Sequence, residues 1–291
     1  MSKFLDDITA FCQENTTGIY RVAIIEGDGE PEQTVLQGMN HCMNSYSVAK
    51  AFTIAAIGML YDDKKIRPED KITEILKEEI PKDIDPRWHK ITVHDTIKHK
   101  IGLPGGFLDI DAKDPLSFTN DYLTYMLTYP FKYEPCTEGH YTDGAYYLLS
   151  RVVEKISGEP LDIFLWNRLF RPLSFREVAW SRCPMGHPMG ATGLYIRSDD
   201  MAKLGAVYLN KGMWKGQRIL SEEWINMVLE RGYEFKPKSA GAAYGKGGMH
   251  GQNLIIIPAQ NMVIAWHGYH SRGEKELIDF VEHYDKEANK E

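Results

Sequence analysis

The chain has 291 residues, 43% of them hydrophobic and 26% charged, which is ordinary globular composition with length for one large domain or two small ones. A formal net charge of -7 and the lack of any basic patch argue against a nucleic-acid partner. Cys12, Cys42, Cys136 and Cys183 lie scattered, without metal-binding spacing, and read as free thiols in a reducing compartment. The first fifteen residues lack the basic start and apolar core of a signal peptide, and no apolar run reaches membrane-span length. The expectation is therefore a soluble, cytoplasmic protein with no membrane partner.

Phe4, Leu5, Ile8, Phe11 and Cys12 recur at helical spacing, so a first helix is expected over 3–15. Residues 18–25 read as a strand. After the turn at Gly27-Asp28-Gly29-Glu30-Pro31, a second strand near 34–38 completes a hairpin. A helix that begins at Ser47 ends at Asp62-Asp63-Lys64-Lys65, and from there to about residue 230 the patterns are mostly helical. A helix is expected from Ile91 to a stop at Gly102-Leu103-Pro104-Gly105-Gly106, a short one over 121–127, and a longer one over 141–157 closed by Gly158 and Pro160. Further helices follow over 161–170, 199–210 and 221–230. Runs at 254–257 and 262–266 make a second hairpin, and Leu277, Ile278, Phe280, Val281 and Tyr284 a closing amphipathic helix. The simplest packing is an α+β fold, an α/β/α sandwich whose antiparallel sheet is flanked by the terminal helices. On this expectation the sheet part comprises 1–40 and 240–291, a helical insertion comprises 41–239, and a catalytic cleft lies between the two.

The most informative stretch runs from Asn44 to Leu60. It is apolar on nearly every side, as a buried helix should be, apart from the stripe Ser47, Lys50 and Thr53. Residues three apart meet on one helix face, so the Ser47 hydroxyl and the Lys50 amine are expected as neighbours. A buried lysine must be paired or lose its proton, and a neutral amine can deprotonate a serine. Ser-x-x-Lys arises by chance about once in a chain of this size; here it occurs once, at the start of the most apolar helix. Two further stretches carry matching chemistry. Tyr141 is expected to open a helix, whose positive end favours a phenolate, though a tyrosine there more often packs and bonds a carbonyl. The glycines of Tyr244-Gly245-Lys246-Gly247-Gly248-Met249 let main-chain N–H groups approach a ligand beside a lysine, where the plainer reading is a turn with a solvated lysine.

In this order the three stretches resemble the serine β-lactamase and penicillin-binding protein superfamily, most closely its class C-like branch of esterases, D-amino-acid peptidases and amide hydrolases. Ser47-Val48-Ala49-Lys50 is similar to its Ser-x-x-Lys motif, Tyr141-Thr142-Asp143 to Tyr-x-Asn, and Lys246-Gly247-Gly248 to Lys-Thr-Gly. The segments 92–104, 146–154 and 192–202 resemble the family as well, so the likeness spans roughly 18–270. It implies a serine hydrolase without metal or cofactor, acting through an acyl-enzyme on Ser47. Lys50 and Tyr141 would share the proton transfers. Lys246 would orient Tyr141 and attract a substrate carboxylate or polarise its carbonyl. The amides of Ser47 and Met249 would form the oxyanion hole. Asp143, Lys246, Gly247 and Gly248 would bind the substrate, a small ester, amide or peptide.

Two departures shape the expectation further. Asn can donate to an amide carbonyl and an ionised Asp143 cannot; Asp143 also favours a cationic Lys50 and is able to receive a substrate amine. Gly247 lacks the Thr hydroxyl that helps bind substrate carboxylates. Both disfavour β-lactam and D-Ala-D-Ala turnover and favour another small ester or amide. His140, His250, His267 and His270 lie near the motifs in sequence but fit no metal spacing. Trp88, Phe107, Trp180 and Tyr269 are candidates for an acyl pocket or for core. The alternative reading is a catalytically idle relative used for ligand binding or assembly. A Ser-His-Asp hydrolase is disfavoured, because Ser47 is not in a Gly-x-Ser-x-Gly elbow.

Overall fold

The computed structural model describes residues 2–38 and 40–285. Met1 and residues 286–291, which the expected sheet part includes, lie outside the described residues. The chain begins with α1 (Lys3–Asn15), β1 (Thr17–Glu26), β2 (Glu32–Val35), β3 (Met43–Asn44) and a 3-10 turn over Tyr46–Val48. It continues through α2 (Ala49–Asp62), α3 (Ile72–Ile75), α4 (Val93–Ile97), α5 (Tyr122–Thr128), α6 (Asp143–Ser157) and α7 (Leu161–Leu165). Then come β4 (Ala179–Trp180), β5 (Leu194–Ile196), α8 (Ser198–Leu209), β6 (Met213–Trp214), β7 (Gln217–Arg218) and α9 (Glu222–Arg231). The last elements are β8 (Lys236–Pro237), β9 (Tyr244–Gly247), β10 (Asn253–Ile257), β11 (Met262–Arg272) and α10 (Glu274–Glu282).

Two compact units result, one of residues 1–48, 172–178 and 195–291, the other of residues 49–171 and 179–194. In the first, a six-stranded sheet runs β2-β1-β11-β10-β9-β8, with every pair antiparallel. Both expected hairpins are present, joined through β1 and β11, which pair Ile24 with Ile264. Alternation along the strands gives the sheet two apolar faces. Ile264 and Trp266 of β11, with Val22 and Ile24 of β1, share a buried cluster with Leu5 and Ile8 of α1 and Leu277 and Val281 of α10. The other face carries α8, which packs on β1, β10 and β11. Gly205 of α8 sits so close to the sheet that a Cβ there would stand 2.6 Å from Val263 Cγ1 and 2.8 Å from Leu254 Cδ1.

The placement of α8 and α9 differs from the expected 41–239 insertion. An amphipathic pattern shows that a helix has an apolar face but not which partner takes it; here both helices belong with the sheet.

The second unit is built on α2. Every residue from Ala49 to Leu60 is buried, and α2 packs against α6 and α7. A capping box closes the start of α4, where Thr92 accepts from the Asp95 amide and Asp95 accepts from the Thr92 amide. That helix ends at Ile97, earlier than the expected glycine-rich stop, because His99 turns the chain at a φ of 57°.

His267 of β11 is buried in the sheet unit, with Nδ1 2.8 Å from Ser198 Oγ. Burial lowers its pKa from 6.5 to about 4. A depressed histidine contributes stability that is whole above 6.5 and is lost as pH falls toward 4. Between pH 7 and pH 5 the urea-unfolding free energy should drop by about 2 kcal/mol from this group, a drop absent in His267→Gln. Gly205→Ala should destabilise the protein by about 1–3 kcal/mol in the same measurement at pH 7, because the added methyl overpacks α8 against the sheet.

Candidate active site

In the sheet unit, Ser47 lies in the 3-10 turn ahead of α2, half-buried. The Tyr46 amide donates to Asn44 Oδ1 at 2.8 Å and the Val48 amide to Ser45 O at 3.1 Å, so the turn is fixed on both sides of Ser47. Tyr46 holds a φ of 48°, an unusual setting for a bulky residue and one that tends to mark functional turns. The turn packs against β9. Gly248, just past β9, makes this approach possible: a Cβ there would stand 2.8 Å from Ser45 O. The Gly248 amide donates to Gln252 O and the His250 amide to Gln252 Oε1. Between them, the Met249 amide has no partner among the described residues, and the Met249 side chain is exposed. Lys246 of β9 is buried and forms an ion pair with Glu234, itself 5% exposed and at a φ of 63°.

In the helical unit, Lys50 is 0% exposed. Its Nζ donates to Asp143 Oδ1 at 2.7 Å and to Ala191 O at 3.0 Å. A buried ammonium is tolerable only when paired and hydrogen-bonded in this manner. The Tyr141 ring centroid lies 4.7 Å from the same Nζ. Tyr141 does not open α6, as the sequence led one to expect. Thr142 is the cap, its Oγ1 accepting from the Gly144 amide, and Tyr141 stands one residue outside. Its ring, 43% exposed, packs on His99 at 4.5 Å, and the Thr142 amide donates to His99 Nδ1 at 3.2 Å.

A ribbon over 190–193 completes this half. Gly190 O accepts from Thr53 Oγ1, Ala191 O from Lys50, Thr192 O from Trp180 Nε1 and Gly193 O from the Ser181 amide. Thr192 Oγ1 also donates to Asp111. Carboxylate oxygens of Asp109, Asp111 and Asp143 lie within 4.8 Å of one another. Burial, and then the charges of Asp143 and Asp109, raise the pKa of Asp111, while Thr192 and Lys50 oppose the rise. One of the three carboxylates is already committed to Lys50, so the cluster as it stands is an extension of the lysine's surroundings.

Lys50, Tyr141 and Asp143 are thus brought together in one unit, and the Ser47 turn, Lys246, Gly247, Gly248 and Met249 in the other. Other candidates have structural places. Trp88 is buried with Phe131 at 5.1 Å, and Phe107 packs with Tyr125 and Tyr129. His140 stacks on Tyr133 at 3.5 Å. Glu234, His99 and Thr192 were not singled out from the sequence. His99 and Thr192 lie within segments that resemble the family but, like Glu234, act through a partner that only the fold brings to them.

Comparisons with known proteins identify the family and the fold. The Beta-lactamase family model matches residues 27–268. An N-acetylmuramyl-L-alanine amidase of Bacillus subtilis (strain 168) is 23% identical over 279 residues, covering 72% of this chain; the chain spans only 63% of that relative's length. Among solved structures, a hydrolase with promiscuous acyltransferase activity superposes with a TM-score of 0.72 at 13% identity, covering 96% of this chain and 98% of the other. A D-stereospecific amidohydrolase from Streptomyces gives 0.71 at 15% identity with the same coverages. At these identities the two structures establish likeness of fold. With the family match running over most of its length, the chain belongs to the Beta-lactamase family.

Proposed function

We propose that the protein is a serine hydrolase that cleaves a small ester or amide through an acyl-enzyme on Ser47. The observation that carries the reading is Lys50, three residues after Ser47, wholly buried yet hydrogen-bonded, with the Tyr141 ring 4.7 Å from its Nζ. In the first step Ser47 Oγ bonds to the acyl carbon and the carbonyl π pair moves onto oxygen. The Met249 amide, unengaged among the described residues, and that of Ser47 are the donors assigned to this oxyanion. An ammonium held by Asp143 has no lone pair, so Tyr141 takes the Ser47 proton while Lys50 stabilises the phenolate electrostatically. Collapse of the intermediate breaks the bond to the leaving oxygen or nitrogen, which receives that proton. Water then repeats the sequence on the acyl-enzyme and frees the acid. Lys246 orients the tyrosine, with Gly247 and Gly248 lining the bound acyl group. The names of the relatives, an amidase, an amidohydrolase and an acyl-transferring hydrolase, favour ester and amide substrates.

A fluorophosphonate probe should label the protein, and Ser47→Ala should abolish labelling and lower p-nitrophenyl butyrate hydrolysis about a thousandfold or more. Retained hydrolysis in Ser47→Ala would remove the reading, and specific ligand binding without Ser47-dependent turnover would favour an idle relative. Asp143→Asn keeps an acceptor for Lys50 and adds an amide donor for a substrate carbonyl. It should speed acylation by a fluorescent penicillin about tenfold; an unchanged rate constant would count against Asp143 as the element that limits lactam acylation.

A further inference from the structure

From Tyr46, next to Ser47 in the chain, the sheet unit carries a run of four rings in contact that the hydrolytic steps do not use. Tyr46 precedes the proposed nucleophile, a Cα separation of about 3.8 Å. His250 follows Met249, and its ring meets Tyr46 edge-on at 4.9 Å, Tyr269 at 4.2 Å and His270 at 4.8 Å. Tyr269 and His270 stand at the end of β11, 4.5 Å apart. Met249, next to His250 in sequence, and Tyr269, in ring contact with it, are each 48% exposed.

The cluster is held rigidly by its main chain. His250 O accepts from both the amide and the hydroxyl of Ser271, each at 3.0 Å. Gln252 receives the His250 amide and donates to Gly268 O at 2.6 Å, and Trp266 Nε1 donates to Gly251 O at 2.7 Å. Gly18 lets β1 lie against this end of β11, since a Cβ there would stand 2.5 Å from Tyr269 O. Rings fixed in advance bind a partner without the entropy cost of ordering them. Two lysines of the same sheet end have partners. Lys246 is paired with Glu234, and Lys238 Nζ donates to Asn253 Oδ1 at 3.2 Å within the field of Glu274. Burial and His270 both lower the pKa of His250, which favours a neutral imidazole.

We propose that Tyr46, His250 and Tyr269 form a specificity subsite that takes a flat, uncharged aromatic ring carried by the acyl group. The inference rests on Ser47 being the acylated residue and adds the class of acyl group. Aromatic pairing depends on the π-face and not on size alone, so a phenyl ring should be preferred over a cyclohexyl ring of similar bulk.

The test compares ethyl benzylphosphonofluoridate with its cyclohexylmethyl counterpart, following modification of the intact protein by mass spectrometry. Ser47 should be labelled about fivefold faster by the benzyl reagent. The ratio should fall to near one in Tyr269→Ala and be retained in Tyr269→Phe, which keeps the ring. Labelling of Ser47 at equal rates by the two reagents, or a ratio unaltered in Tyr269→Ala, overturns the subsite and leaves the hydrolase reading standing. Absence of label at Ser47 with both reagents overturns the hydrolase reading, and the subsite with it.

Discussion

The contact between Lys50 and Asp143 is the constraint on which the helical unit's chemistry depends. A lysine on a helix buried from Ala49 to Leu60 brings a charge into a place where an unpaired one costs several kcal/mol. One carboxylate oxygen, one main-chain oxygen and the face of a tyrosine take up that charge. The pair fixes α2 relative to the start of α6, so the segment that follows the serine and the segment that carries Tyr141 are tied at a single point. Removing either partner would leave the other buried and uncompensated, at a cost of about 3–5 kcal/mol.

Lys246 follows the same logic in the sheet unit. Its partner Glu234 arrives from the stretch between α9 and β8 in a backbone setting that most residues avoid. Both lysines of the family motifs are therefore matched internally by carboxylates. Neither stands as a bare cation, so neither offers an uncompensated positive charge to an anion.

Much of this was legible in the sequence because it depends on local periodicity. The apolar run from Ala49 to Leu60, the hairpins at both ends of the chain and the two terminal helices follow from spacing alone. The start of α6 was misjudged because a threonine cap beside a tyrosine looks much like a tyrosine inside the first turn. The assignment of α8 and α9 was misjudged because amphipathicity names no partner. Glu234, His99 and Thr192 are illegible for a different reason: each works through a contact set by the fold, which even a family-like segment around His99 or Thr192 does not reveal.

The ribbon over 190–193 makes the same point at the level of the main chain. Four successive carbonyl oxygens each serve a different donor, among them the side chains of Lys50 and Thr53 on α2. Identity is fixed at both ends of the ribbon, since a Cβ would stand 2.4 Å from Tyr146 O at Gly190 and 2.4 Å from Ser181 Oγ at Gly193, each with a φ near 70°. Length is fixed too: one inserted residue would shift the oxygens out of step with their donors. Lys50 would then meet an amide hydrogen where it needs a lone pair, so this short stretch is as intolerant of an insertion as its two glycines are of a side chain.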